Sequence, residues 1–401
     1  MARVLPFRAL RPRDELAERV IAPPYDVLTD AEARAEAEDA HSFVHVTRPE
    51  VDCAAGVDPH SPAAWGKARE NLDAMIAEEV LMRDDAPTYY FYGQKMGAHE
   101  QVGILAGASV DEYDRGLIKK HEFTRPDKED DRTRHMEVLE AQVGLVFLTF
   151  RPNADLQVIT EQIVETAPAW KVTTPDGVVH ALWPAPLELV EPITRAFEQV
   201  DTLYVADGHH RSAAASRYHA KVGDALSSTF LAGLFPADHL YVMAYNRVVH
   251  DLNGLSDEAF LAAVDEHFER RPSPTAEPDE RGKITMFFQD RWWSLRAREG
   301  VVDEGDPVGR LDVAVLQRLV LGPVLGIDDP RRSQRISFVG GIRGAAALES
   351  EVRAGGAVAF HLFPTGLDQL FDVADAGEVM PPKSTWFEPK LREGVAVKLL
   401  R

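Results

Sequence analysis

Apolar and polar positions change period many times along this chain, and the changes outline its elements. Residues 4–10 read as a short strand. Val20-Ile21-Ala22-Pro23-Pro24-Tyr25-Asp26-Val27 reads as extended chain, because two prolines keep it out of a helix interior. Thr29 or Asp30 caps an alanine- and glutamate-rich helix, and residues 42–46 alternate polar and apolar like a strand. Residues 61–83 place Trp65, Leu72, Met75 and Ile76 on one face of a helix. Residues 88–92 and 101–105 form a hairpin, residues 132–142 an amphipathic helix, and residues 144–150 a strand. Residues 170–183 form a second hairpin around Pro175-Asp176-Gly177.

A helix from about Ile193 leads into a strand that ends at Asp207, after which an alanine-rich helix begins. Strands follow at 230–235 and 240–249, then a helix at 256–270. Arg271-Pro272-Ser273-Pro274-Thr275-Ala276-Glu277-Pro278 has the composition of a linker. Beyond it, strands near 284–297, 336–340, 357–363 and 395–400 alternate with helices near 311–322, 345–354 and 366–374, the pattern of a second α/β lobe. The fold expected is α+β with mixed sheets: an N-terminal lobe over residues 1–270, a linker over 271–280 and a C-terminal lobe over 281–401.

Composition narrows the function. The 401 residues are 45% hydrophobic and 27% charged, as in ordinary globular proteins, and exceed what one core of roughly 250–300 residues accommodates. With 65 acidic and 44 basic side chains the net charge is −21, which repels nucleic acid and anionic lipid, so neither is expected as a partner. A small anionic substrate is still compatible, because a few cations and a helix N-terminus reverse the field inside one cleft. The single cysteine, Cys53, excludes an internal disulfide and a multi-thiolate zinc site, and reads as a small, partly buried residue. The N-terminus lacks a signal-like apolar run and no segment is long enough to span a membrane, so a cytoplasmic setting is expected.

The chemistry centres on Tyr204-Val205-Ala206-Asp207-Gly208-His209-His210-Arg211, a strand running through a polar turn into a helix: either a ligand site, or a structural turn in which Asp207 and Gly208 serve capping and turn geometry alone. The helix start offers backbone N–H groups and the positive end of its dipole. Gly208 allows close approach of a ligand, and Arg211 can fork onto phosphate oxygens. Asp207 with His209 or His210 adds groups able to move a proton, although neighbouring side chains diverge and one histidine is expected to be structural. No Walker or dinucleotide-binding glycine motif is present.

Three other segments carry candidate groups. Residues 118–128 concentrate Lys119, Lys120, His121, Glu122, Thr124, Arg125 and Lys128: either a solvated loop, or one bringing cations to phosphates and Glu122 to a metal or hydroxyl. Pro23-Pro24-Tyr25-Asp26 either presents Tyr25 and Asp26 to a substrate or is a strand-exit turn that Asp26 caps. In residues 380–390, Lys383, Ser384 and Thr385 bind phosphate or belong to a surface loop anchored by Trp386. A Mg²⁺ ion held mainly by nucleotide phosphates needs only one or two of these carboxylates.

Together, Ala22-Pro23-Pro24-Tyr25-Asp26-Val27, His121-Glu122-x-Thr124, Lys128 with Asp131-Arg132, the 204–211 turn, and Met380-Pro381-x-Lys383-Ser384-Thr385-x-Phe387-x-Pro389-Lys390 resemble the prokaryotic family named domain of unknown function 1015. More distantly, the turn is similar to the phosphate-binding turn of the ParB/sulfiredoxin-like superfamily, which includes nucleotide-dependent free-serine kinases. That resemblance implies a ParB/sulfiredoxin-like core. Gly208, His209, His210 and Arg211 would cradle nucleotide phosphates, and Asp207 would sit beside the transferred group or its Mg²⁺. Sulfiredoxin's redox cysteine has no counterpart.

The expectation is therefore an ATP- or ADP-dependent phosphotransferase acting with Mg²⁺ on a small hydroxyl metabolite, L-serine being the named candidate. Asp207, His209, His210 and Glu122 are the catalytic candidates. Gly208, Arg211, Lys120, Arg125, Lys128, Lys383, Ser384 and Thr385 would bind the nucleotide, and Tyr25 and Asp26 the substrate. A non-catalytic nucleotide-binding regulator and a metal-dependent phosphohydrolase are the alternatives.

Overall fold

The computed structural model describes residues 2–54 and 56–401. By contact the chain forms two compact units. The first comprises Met1–Lys120, Thr124–Leu240 and Pro389–Arg401, and the second His121–Phe123 and Tyr241–Glu388. These bounds differ from the division at 271–280. The proline-rich stretch lies within the second unit, where Phe268–Pro272 is an edge strand, and the last thirteen residues return to the first.

Seven elements frame the first unit: β1 (Tyr90–Met96), β2 (His99–Ser109), α1 (Pro126–Leu139), β3 (Val146–Phe150), β4 (Leu203–Asp207), α2 (His209–Val222) and β5 (Thr229–Pro236). Its nine-stranded sheet runs Ile118–Lys119, β4, β3, β5, β2, β1, Val179–Pro184, Trp170–Thr173, with Val4–Leu5 added beside β2. Most neighbours are antiparallel. The pairings of β5 with β3 and of β4 with Ile118–Lys119 are parallel, so the sheet is mixed and the α+β expectation holds.

Both expected hairpins form. In the first, Met96 pairs with His99, leaving Gly97 and Ala98 to turn the chain, and Gly97 takes the φ of +59° that such a turn demands. Phe91, Ile104, Leu148, Val205 and Leu234 from five adjacent strands are buried with Ala214 and Ala215 of α2 in one core. The small alanines let the helix sit close to the sheet. α1 begins six residues before its expected start, because Pro126 suits a first turn, and it ends where Glu140 turns left-handed.

The expected strand at 42–46 is instead the short helix Val44–Thr47. Val44, Val46 and Thr47 are all buried, so the alternation there never marked an exposed and a covered face. A four-stranded sheet joins Leu81–Arg83, Ala9–Pro12, Val397–Leu399 and Ala141–Gln142, drawing the chain's end into the first unit.

The second unit carries a six-stranded sheet in the order Phe268–Pro272, Arg291–Ala297, Lys283–Phe288, Val358–His361, Tyr245–Val249, Ile336–Gly340. Every pairing in it is antiparallel, so the alternation of strands and helices does not make an α/β lobe of parallel crossovers. Val248, Phe287, Val339, Leu348 and Ala359 form its core. No helix among the described residues is long and apolar enough to cross a membrane.

Candidate phosphate-binding site

β4 delivers Asp207 to the mouth of the turn, and Gly208 converts strand into helix. Its φ of +90° is left-handed, and a Cβ there would lie 3.4 Å from the Val146 Cα and 3.7 Å from the Leu145 carbonyl oxygen. Gly208→Ala should cost roughly 1–2 kcal/mol of stability from the backbone conformation alone. Thermal denaturation checks this: the melting temperature falls. From Gly208 onward α2 is closed by N–H groups of Arg211 and Ser212 donating to the Gly208 carbonyl at 2.9 and 3.0 Å.

Two cations and two carboxylates converge on this start. The Lys390 ammonium lies 3.1 Å from the half-buried Asp207 carboxylate, which also accepts from the Gly208 N–H at 2.7 Å. The Arg211 guanidinium lies 3.6 Å from Asp26 and donates to the Leu145 carbonyl. Burial alone would raise the Asp207 carboxyl, but Lys390 and Arg211 outweigh it and hold it well below the usual carboxylate range. Burial disfavours the charged Arg211 too, yet Asp26 and Asp207 keep it firmly protonated.

Behind Arg211 lies Glu393, 2% exposed, which the sequence did not single out; Lys390 stood there only as the end of the 380–390 motif, without a role. One Glu393 oxygen accepts from the Tyr25 N–H at 3.2 Å, and a Cβ on Gly144 would lie 3.1 Å from Arg211 Cδ and 3.4 Å from Glu393 Oε1. Tyr25, Arg132, Gly144, Arg211 and Glu393 border a cavity of about 40 Å³, enough for ordered water and too small for a metabolite. The Arg132 guanidinium lies over the Tyr25 ring, 4.2 Å from its centre, and pairs with Asp131 at 2.7 Å. Burial pushes the Tyr25 hydroxyl up to about 12, so it stays protonated.

Burial, opposed by Arg211, pushes the Glu393 carboxyl up to about 7 from 4.5. A proton held more tightly in the folded chain than in the unfolded one stabilises the fold fully below the ordinary value. That contribution fades as pH rises to about 7. The loss between about pH 5 and about pH 8 should be on the order of 3 kcal/mol and should shrink in Glu393→Gln, as denaturant unfolding at the two pH values would measure.

The strap that carries Lys390 and Glu393 is tied to the sheet. The Gln94 amide donates to the Lys390 carbonyl at 2.9 Å. The buried Arg392 donates to Asp176 and to Thr174, the latter at 3.3 Å, and Ala22 and Glu393 form a β-bridge. The signal in the sequence was Lys390, Arg392 and Glu393 lying just before the largely apolar run 395–400, a position where charges need partners.

The first unit brings Tyr25, Asp26, Asp207, Gly208, His210, Arg211 and Arg125 together. His210 Nε2 accepts from the Arg125 N–H at 3.0 Å, which joins the 118–128 segment to the turn. The Arg125 guanidinium itself is exposed and pairs with Asp127 at 2.7 Å. The Lys120 ammonium lies over the Tyr113 ring at 3.9 Å. His209 is buried, which suits a structural role. Lys128 lies on α1 and lines a separate groove with His60 and Trp65.

Glu122, Lys383, Ser384 and Thr385 belong to the second unit. There Glu122 lies near Arg331, and the Lys383 ammonium is 5.3 Å from the Tyr245 ring centre. The Ser384 carbonyl accepts from Thr365 at 2.9 Å, and its hydroxyl donates to the Pro381 carbonyl, a tight local turn. Met380 N–H donates to the His121 carbonyl at 2.8 Å, which ties residues 121–123 to this unit. Among the described residues no group of three or more His, Cys, Asp or Glu side chains is placed to hold a metal ion.

A model of the family described as a protein of unknown function (DUF1015) matches residues 4–314. No curated protein matches the chain. Among solved structures, a mutant free serine kinase in complex with ADP is 14% identical, with a TM-score of 0.37, covering 74% of this chain and 92% of that one. A conserved hypothetical protein from Pyrococcus furiosus is 12% identical, with a TM-score of 0.39, covering 74% and 95%. SbnI with a C-terminal truncation, from Staphylococcus aureus, is 13% identical, with a TM-score of 0.41, covering 74% and 87%.

Proposed function

The chain belongs to the DUF1015 family, and from that premise we propose that it is a nucleotide-dependent phosphotransferase acting on the hydroxyl of a small metabolite, with free L-serine as the named candidate. The observation that carries the reading is the convergence of Arg211, Lys390 and the exposed Asp26 on a helix start opened by Gly208. In-line transfer asks for little covalent chemistry from the protein. It needs a cradle for the phosphates, cations for the charge that develops on them, and a group that orients the attacking hydroxyl.

Each need has a residue here. The first turn of α2 and Arg211 face the phosphates of ATP or ADP, and Lys390 supplies the second cation. Asp207, kept ionised, would hold Mg²⁺ bound to those phosphates, where the ion would neutralise oxygen charge. Asp26, exposed beside Arg211, is placed to accept the hydroxyl proton. Glu393 and Arg132 lie behind them and fix Arg211 and Tyr25. These roles fall to residues of the first unit.

The test incubates the protein with ATP or ADP, Mg²⁺ and a pool of hydroxyl metabolites including L-serine, and follows nucleotide and phosphorylated products by mass spectrometry. Acceptor-dependent nucleotide loss with one new phosphorylated metabolite is expected. Nucleotide binding without acceptor-dependent turnover would replace this reading with that of a nucleotide-binding regulator.

A further inference from the structure

We propose that the first unit carries a second ligand site, on the sheet face opposite the strap, that takes a small organic cation with an apolar body. Strand register defines the two faces. Lys171, Ala181, Gly93 and Val102 form one cross-strand row, and Trp183, Phe91, Ile104 and Leu234 the next. Tyr92 and Gln94, whose side chains contact Arg392 and Lys390, lie in the alternate rows and so face the other way.

Over the first face lies a cavity of about 610 Å³, within the range that holds metabolite- and drug-sized ligands. Its floor is Val102, Ile104, Ala181 and Leu234, and the helix Ala154–Val164 covers it with Leu156, Thr160 and Val164, one per turn. Gly93 is small for a reason: a Cβ there would lie 2.9 Å from the Trp183 ring. The indole lines the cavity with its N–H donated to the Thr166 carbonyl at 3.0 Å, so the ring is held in place before any ligand arrives.

Charge at the mouth selects the ligand. Lys95 and Glu100 pair with each other at 3.4 Å. Of the remaining charged lining residues, Glu161 and Asp238 have no ion-pair partner among the described residues, against one cation, Lys171. Surplus carboxylate beside an indole favours an ammonium group, with the apolar floor taking the rest of the molecule. This site is independent of the phosphate site.

Three probes with one ring and different charge test it by calorimetric titration: 1-naphthylmethylammonium, 1-naphthylmethanol and 1-naphthylacetate. The cation should bind about tenfold more tightly than the neutral probe, and the anion weakest. Glu161→Gln with Asp238→Asn should remove the cation's advantage while leaving neutral binding intact. Thr160→Trp, on the covering helix, should intrude on the cavity and weaken binding of all three, and Arg211→Ala should change none of them. Absence of saturable binding, an anion that binds as tightly as the cation, or undiminished binding in a folded Thr160→Trp variant would each overturn the proposal.

Discussion

Arg211→Ala lowers kcat/KM for acceptor-dependent nucleotide consumption by about 10²–10³, the scale of a lost donor to transition-state charge. The guanidinium is rigidly held: the Leu145 carbonyl accepts from it, Asp26 lies 3.6 Å away, and Glu393 stands behind it. Such preorganisation makes a cation effective in a partly desolvated site, because nothing has to reorient as charge shifts onto phosphate oxygens. The variant also leaves Asp207 with Lys390 as its main counter-charge. Arg211→Lys separates the effects: it keeps the charge but loses the planar fork, and should recover part of the stability and little of the rate. Steady-state kinetics of the three proteins checks this, and an Arg211→Ala rate within about threefold of the parent would remove Arg211 from the reaction.

Asp26→Asn lowers kcat by about 10²–10⁴, the range for a lost general base. Asp26 is exposed and Asp207 still faces Arg211, so the amide leaves the fold intact and lowers its melting temperature only modestly. A fall in kcat with nucleotide affinity retained would identify a group acting on the acceptor. Loss of nucleotide affinity without loss of kcat would make Asp26 only the partner that orients Arg211.

Much of this site is legible in the chain because the turn is local. A strand, a glycine forced to positive φ and an alanine-rich helix are contiguous from 203 to 222, and each leaves its mark within a few residues. Two other groups are legible for the same reason: the hairpin closed by Gly97 and the helix capped by Thr29, whose side chain and Glu32 cap each other reciprocally. Lys390 and Glu393 are not legible in that way. They reach the turn only because Val397–Leu399 pairs with Ala9–Pro12 and Ala141–Gln142, strands hundreds of residues away, and no local period records such a pairing.

The same limit explains why the boundary expected at 271–280 differs from the division by contact. A proline-rich stretch reads as a linker, but Pro272 ends an edge strand, where the missing N–H costs nothing. The short segment at 42–46 shows the converse. Five residues carry too little period to separate a strand from a buried helical turn, and here the adjacent Phe43 and Val44 are both buried, which a one-faced strand alternation does not predict.

The most direct measurement of the central claim is calorimetric titration of the protein with ADP and ATP in the presence of Mg²⁺, alongside Arg211→Ala and Lys390→Ala. Saturable binding that weakens at least about tenfold in each folded variant is the predicted result, since each removes a charge-assisted contact to phosphate. No binding by the parent, or equal binding by the variants, would contradict a nucleotide-phosphate site at this turn.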